Sequence, residues 1–479
     1  MTGHAGPDPG RDQRARHRNT EPLKHHLHTQ SKGPTMRGIS RRRAGTVAAL
    51  GAVTLLALTA CAGNDAGGSD EPELTLSDEP VTLSFTWWGN DTRHAITEEL
   101  ISTFEEEYPN ITIEPQYTDW AGYWDKLSTS IAAGDTPDII QMDEKQLSTY
   151  AANGVLADLG DYSSILGTEN FPEAVLGTGA LDGTQYGVPV GINSYTIIAN
   201  QTILDQYGVD LPDDESWTWD DFVGTAEDVA KASGGAVVGT QSWGFEDGGL
   251  NNWLRQRGSA LYTTDGKVAA TEEDLASWWQ FLLDATESGA TPDPSATIER
   301  ESGGLAESFT ATNASAFGPW WSNQVQALRD ASGQDLVALR VPTLDDAAEG
   351  SAYYKPSMFW SASAKTEHPA EVATFLDWLA NSEEAADLLL AERGVPANEE
   401  IREYITPKLD EVNQAVVAFL DDLAPLVGDA PPATPPGGGA IETIIDQHTQ
   451  RVLFGELSPE DAAKSFIDEL QTALDDAAI

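Results

Sequence analysis

Val81-Thr82-Leu83-Ser84-Phe85-Thr86-Trp87-Trp88-Gly89-Asn90 is the stretch on which the reading of this chain turns. Val81, Leu83 and Phe85 alternate with Thr82, Ser84 and Thr86, a period of two that predicts a strand, with a loop at Trp87-Trp88-Gly89-Asn90. Asp91 or Thr92 is placed to cap a following helix, on which Ile96, Leu100 and Phe104 share one face until Pro109-Asn110 stops it. Ile111-Thr112-Ile113 reads as a second strand. Tyr123, Leu127 and Ile131 then mark a second helix ending at Gly134, and Asp138-Ile139-Ile140 a short buried strand. Strand, helix, strand, helix, strand is the order of an α/β lobe with a largely parallel sheet.

Further along, a strand is expected over 195–199. A capping box is expected at Thr218-Trp219-Asp220-Asp221, where the Thr218 hydroxyl and the Asp221 carboxylate meet the first free N–H groups of a helix. Helices are expected over 275–286, 370–390 and 459–477, the last with Ala462, Phe466 and Leu470 on one stripe. Residues 431–439 form a Pro/Gly-rich turn region. From Val81 onward about four hundred residues remain, too many for one hydrophobic core and suited to two lobes.

Upstream, the character changes. Arg41-Arg42-Arg43 precedes an uncharged run of small and aliphatic residues over 44–60, and Cys61 follows. A basic segment, an apolar segment and small residues before a break are the parts of an export signal, expected over 1–60, with Met36 as an alternative start. The uncharged run is short and weakly apolar for a membrane span of about twenty residues. Ser40-Arg41-Arg42-Arg43 leaves twin-arginine and general export both open. Leu58-Thr59-Ala60-Cys61 resembles the lipobox of bacterial lipoproteins, which implies a diacylglycerol anchor on Cys61 at the outer face of the cell membrane. Residues 61–80, poor in apolar side chains, read as a solvated tether.

The charge excludes whole classes of partner. The chain carries 27 basic and 77 acidic residues, a formal net charge of −50. Such a field repels nucleic acid and anionic membrane surfaces, because the attraction to phosphate is missing. Cys61 is the single cysteine, so no disulfide framework exists. Beyond it only His94, His368 and His448 remain, none in a metal-ligand spacing, and no nucleophile elbow, P-loop or dinucleotide fingerprint appears. The expectation is a monomer with no catalytic residue, no metal and no cofactor.

Aromatic residues carry the positive signal. All 14 tryptophans lie after Cys61, several beside polar groups in expected loops: Trp88 near Asn90, Trp120, Trp243, Trp253, Trp320-Trp321-Ser322-Asn323 and Trp360. An indole plane covers the apolar C–H face of a sugar ring while Asn, Asp, Glu and Ser meet its hydroxyls. Trp278, Trp279 and Trp378, inside expected helices, read as core instead. Gly318-Pro319 before Trp320 and Ser322-Asn323 after Trp321 read as a turn into a helix start.

From Val81 to the last helix the chain resembles the extracellular solute-binding proteins of bacterial sugar importers, the group that includes the maltose-binding protein. The matching pieces are Phe85 through Asn90; Tyr123-Trp124-Asp125-Lys126-Leu127 with Ala132-Ala133-Gly134 and Pro137-Asp138-Ile139; and Gly154-Val155-Leu156 with Asp158-Leu159. They continue with Tyr186-Gly187-Val188-Pro189, Trp217 through Phe222, Ala316-Phe317-Gly318-Pro319-Trp320 and Arg393-Gly394-Val395-Pro396. The resemblance implies a two-lobe, periplasmic-binding-protein-like α/β fold of type II, with hinge-linked lobes and the ligand in the cleft between them. It implies one lobe from 81–190 with about 343–395, and the other from 191–342 with about 396–479. The implied activity is capture of a carbohydrate for the permease subunits of an ABC transporter, with no bond made or broken. Trp320 falls where the family has a stacking tryptophan, and Asn193 where the maltose-binding protein has a ligand-contacting glutamate in the first hinge. The expected site is Trp88, Asn90, Trp120, Asp143, Asn193, Trp243, Trp320 and Trp321, with Glu144 beside Asp143. Two rival readings remain: an importer subunit for a polyamine or phosphate ester, and a secreted glycan-acting enzyme. Few basic residues argue against a phosphate.

Overall fold

The computed structural model describes residues 74–301 and 303–477, so the export segment, Cys61 and most of the tether lie outside the described residues. β1 (Val81–Trp88) pairs in parallel with β2 (Ile111–Thr118) along its whole length, and β3 (Ile139–Met142) lies parallel on its other side. Leu83, Phe85 and Trp87 are fully buried, as the period of two requires of one face packed on a core. Pro115 is tolerated within β2 because that strand is an edge, where a missing N–H breaks no further ladder. Asp138 joins the layers: its carboxylate accepts from the Ser84 N–H at 2.9 Å, the Ser84 hydroxyl at 2.8 Å and the Thr366 hydroxyl at 2.8 Å.

A hairpin of β4 (Ala180–Leu181) and β5 (Thr184–Gln185) turns through Asp182 and Gly183, both at positive φ, the Asp-Gly geometry that suits strand twist. β6 (Val188–Pro189), β7 (Gly191–Asn193), β8 (Tyr195–Asn200), β9 (Val238–Thr240), β10 (Ser315–Trp321) and β11 (Leu336–Leu339) follow. The remaining strands are β12 (Lys355–Pro356), β13 (Phe359–Ala362) and β14 (Val395–Pro396). They assemble into a five-stranded sheet β2-β1-β3-β13-β6, a four-stranded sheet β11-β8-β10-β9 and a small sheet β12-β7-β14. Each large sheet carries helices, which makes two α/β lobes. Two strands of the small sheet leave or enter the first large sheet directly: β7 follows β6 by one residue, and β12 precedes β13 by two. Gly394, just before β14, has φ +98°, a conformation that favours glycine, and a Cβ there would press on that of Ser357 at 3.1 Å.

Several local expectations change. The first helix, Asp91–Glu107, is capped by Asn90, whose side chain accepts from the Arg93 N–H at 3.0 Å; Asp91 is already inside the first turn. The expected helix over 370–390 is two helices, Pro369–Asn381 and Glu383–Leu389, because Ser382 is extended and caps the second through the Ala385 N–H. The capping box at Thr218 forms in full, with the Thr218 N–H donating to Asp221 at 3.0 Å and the Asp221 N–H to Thr218 at 3.1 Å. The final helix spans Pro459–Ala477 with Ala462, Phe466 and Leu470 buried. Gly318 through Trp321 is not a turn but the end of β10, and only Ser322 begins helical structure. β9 reaches no further along β10 than Phe317, so Pro319 interrupts no bond to it.

Candidate functional site

The parallel strands of both lobes end toward the same kind of position. β3 runs into Asp143, which caps the helix Glu144–Ala152 by accepting from the Lys145 N–H at 3.0 Å and so fixes Glu144 and Lys145 at the sheet's carboxyl edge. β9, parallel to β10, runs through Trp243 to the helix Asp247–Gln256, and β10 itself ends at Trp321. Carboxyl ends of strands in α/β sheets are where crevices form.

A small cavity, partly open to solvent, lies between these ends. Glu144 comes to it from the first lobe, Asp247, Arg255 and Trp321 from the second, and Tyr353 and Lys355 from the segment leading through the small sheet. Pro431 and Thr434 close it from the Pro/Gly-rich region near the C-terminus. The Trp321 indole is held by four neighbours. Its N–H donates to Glu246 Oε2 at 3.1 Å, Tyr195 and Tyr353 meet it edge-on at 5.2 and 6.3 Å, and Lys355 Nζ lies 5.2 Å from the ring centre. Gly248 leaves room for that packing, since a Cβ there would come within 2.7 Å of both Trp321 and Tyr195.

Charges at the cavity are paired, those of Lys145 from one lobe to the other. Lys355 Nζ is 2.9 Å from Glu144, and Lys145 contacts Glu442 closely and Asp247 at 3.7 Å. Burial works against both ammonium groups, but the facing carboxylates, Asp247 and Glu442 at Lys145 and Glu144 and Asp143 at Lys355, hold them charged. Arg255 donates to the carbonyls of Ser351 at 2.9 Å and Asp429 at 2.9 Å and lies 5.3 Å over the Tyr353 ring. Burial, reinforced by Asp247, pushes the Glu246 carboxyl up to about 7 from its ordinary 4.5. The native state therefore holds a proton that the unfolded chain has lost. Stability from this group is fully present below about 4.5 and is lost as pH rises through about 7. Glu246→Gln should flatten the fall in urea midpoint between pH 5 and 7.5 relative to the unmodified protein; parallel curves for the two would contradict this.

Of the eight expected residues, Trp321 lines this cavity. Trp320, next to it in a strand, points to the opposite face, where its N–H donates to the Thr310 hydroxyl at 3.0 Å and its ring packs on the first core. The pair therefore do not form one wall. Trp88, the last residue of β1, and Trp120, just after β2, do come together, edge to face at 5.1 Å, with Trp88 8% and Trp120 49% exposed. Asn90 and Asp143 serve as helix caps. Asn193 is buried in β7, and its side-chain carbonyl oxygen has no hydrogen-bond partner among the described residues. Trp243 corrects the expectation of a loop residue facing a cleft: it is 1% exposed and stacked on Trp219 at 5.7 Å inside the second core. Trp253 and Trp360 are core residues too, at 5% and 1%.

Sequence reasoning missed Glu246, Asp247, Arg255, Tyr353 and Lys355. Glu246-Asp247 before Gly248-Gly249-Leu250 carried one usable signal, acidic residues at a helix start. Tyr353 and Lys355 carried none, because only the crossing of chain segments brings them to Trp321.

Comparison with known proteins agrees with this architecture. A family model described as bacterial extracellular solute-binding protein matches residues 99–415. The maltooligosaccharide ABC transporter solute-binding lipoprotein of Streptococcus pneumoniae is 24% identical over 460 residues, covering 90% of this chain and 96% of the relative. The diacetylchitobiose binding protein of Streptomyces coelicolor is 23% identical over 445 residues, covering 89% and 98%. Among solved structures, an extracellular solute-binding protein family 1 member from Alicyclobacillus acidocaldarius superposes with a TM-score of 0.70 at 27% identity, covering 83% of this chain and 99% of its own. Two α/β lobes, three crossing strands, a cavity at the strand ends and a family match over most of the chain converge: the chain belongs to the bacterial extracellular solute-binding proteins.

Proposed function

We propose that this protein captures a mono- or oligosaccharide outside the cell and delivers it to the permease subunits of an ABC transporter without making or breaking a bond. The observation that carries the reading is the Trp321 indole in a cavity between two lobes, edged by Glu144, Asp247 and Tyr353. An aromatic face with convergent acceptors and hydroxyls suits a ring with an apolar face and a polar rim. The relatives named for maltooligosaccharide and diacetylchitobiose support a saccharide as the solute. Lobes of 81–190 with about 343–395, and 191–342 with about 396–479, would close over it about the small sheet. Closure follows only if the solute contacts both lobes, since a ligand with equal affinity for open and closed states shifts nothing. Calorimetric titration against neutral mono- and oligosaccharides tests the reading. A saturable signal with a rise in melting temperature is expected; at 100 times the dissociation constant the gain is about 2.7 kcal/mol. Failure of every saccharide, with binding of another solute class, would overturn it.

The same reading places the protein on the outer face of the cell membrane, anchored through lipid on Cys61 and acting as a monomer. Two acyl chains give stable anchoring where one binds marginally. Cys61→Ser should move the protein from the membrane to the soluble fraction, and mass spectrometry of the unsubstituted protein should show acylated Cys61 as its first residue. A free thiol there, or an uncleaved start, would sink the anchor.

A further inference from the structure

Two cations line the cavity, Lys355 and Arg255, and Lys145 stands beside it against Asp247; each already has partners. Lys355 is paired with Glu144 at 2.9 Å and sits over Trp321. Lys145 is held between Asp247 and Glu442. Arg255 donates to four backbone carbonyls, those of Gly350, Ser351, Ala352 and Asp429, and covers Tyr353. Around them stand the carboxyls of Glu144, Glu246 and Asp247, all half-buried. From this geometry we infer that the cleft takes an uncharged saccharide and rejects an acidic one, such as a uronic acid or a sugar phosphate.

Anions are excluded by the cost of exchange, a conclusion that rests on the carbohydrate reading only in taking the solute to be a saccharide. A carboxylate or phosphate entering the cavity must be desolvated, and it then requires a cation with donors to spare. Taking Lys355 leaves Glu144 as an unpaired, half-buried charge, and taking Lys145 does the same to Asp247. Neither exchange gains an ion pair, because one is broken for each one made. Arg255 has its Nε–H and Nη2–H donors on main-chain carbonyls that shape the cavity wall, so turning the guanidinium toward a ligand unmakes the wall. The surrounding field acts in the same direction, since a chain of net charge −50 repels an anion before it arrives. A neutral ring asks for none of this. Its hydroxyls donate to carboxylates whose second oxygens remain acceptors, and its C–H face packs on Trp321 with the Lys355–Glu144 pair intact.

The test uses a matched pair, maltotriose and the same trisaccharide oxidised at C6 of its rings to uronic acids, within a panel of such neutral and oxidised pairs. Affinities are measured by calorimetry at pH 7.5 on the full mature protein. Neutral members should bind at least tenfold more tightly than their oxidised partners. Glu144→Gln releases Lys355 from its carboxylate and should narrow that ratio at least fivefold, by gain of affinity for the acid, while circular dichroism shows the fold retained. Equal or tighter binding of the oxidised members by the unmodified protein overturns the inference and leaves the carbohydrate reading standing. A ratio unmoved in Glu144→Gln, with the fold retained, also overturns it, since the pairing of Lys355 would then not be what excludes the acid. Binding of an uncharged or cationic non-sugar in place of every saccharide removes the carbohydrate reading and keeps the exclusion of anions. Tight binding of an anionic non-sugar removes both.

Discussion

Trp321→Ala is expected to lower saccharide affinity at least tenfold while shifting the melting temperature little. The indole forms the aromatic wall of the cavity and is only half-buried, so truncation takes an apolar face from the ligand more than from the core. An oriented aromatic contact contributes about 0.5–1.5 kcal/mol beyond its area, and the area itself about 25 cal/mol per Å². With a tenfold change per 1.4 kcal/mol, the two together exceed one order of magnitude. The structural cost is smaller, namely the bond to Glu246 and the contact with Lys355, both replaceable by water at an open site. Trp320→Ala should show the opposite balance, because that ring packs on the first core and binds Thr310. Titration and melting curves on both variants decide the matter. Unchanged affinity in Trp321→Ala, with an early melt, would mean that this indole is a structural residue and that the wall lies elsewhere.

Trp243→Ala is expected to destabilise the protein by about 3 kcal/mol and leave the affinity of the folded protein unchanged. Trp243 is 1% exposed and enclosed by Trp219 at 5.7 Å, Phe222 at 5.5 Å and Phe281 at 5.7 Å. Truncating a buried Trp costs about 3–5 kcal/mol. The lower end applies because its ring N–H has no hydrogen-bond partner among the described residues, and removing a buried unpaired donor returns part of the loss. Urea denaturation measures the first quantity and calorimetry under native conditions the second. A loss of affinity without loss of stability would return Trp243 to the binding site.

Local order was legible in the sequence wherever one physical rule governed one segment. The alternation of Val81, Leu83 and Phe85, the stop at Gly134 and the capping box at Thr218 each depend on neighbours within a few residues, and each stands in the fold as read. Misreadings fell where two rules competed. Ser382 is a helix former's neighbour by pattern but an N-cap by chemistry, and the cap won. Gly318-Pro319 is a turn signal by composition, yet β10 accommodates the proline beyond the reach of β9.

The sequence by itself determined the two α/β lobes, the acidic character of the chain, and the presence of more tryptophan than the loops and helices plainly required. Which tryptophan faces the cavity was decided only by tertiary structure. Trp320 and Trp321 are chemically equal in a list of residues; the pleat of β10 sends one to the core and the other to Glu246 and Lys355. Trp243 belongs to the core because the helix Trp219–Ala232 lies over it, and Lys355 reaches Trp321 because β12 pairs with β7. Those placements depend on contacts between residues separated by tens to hundreds of positions, and no periodicity within a segment encodes them.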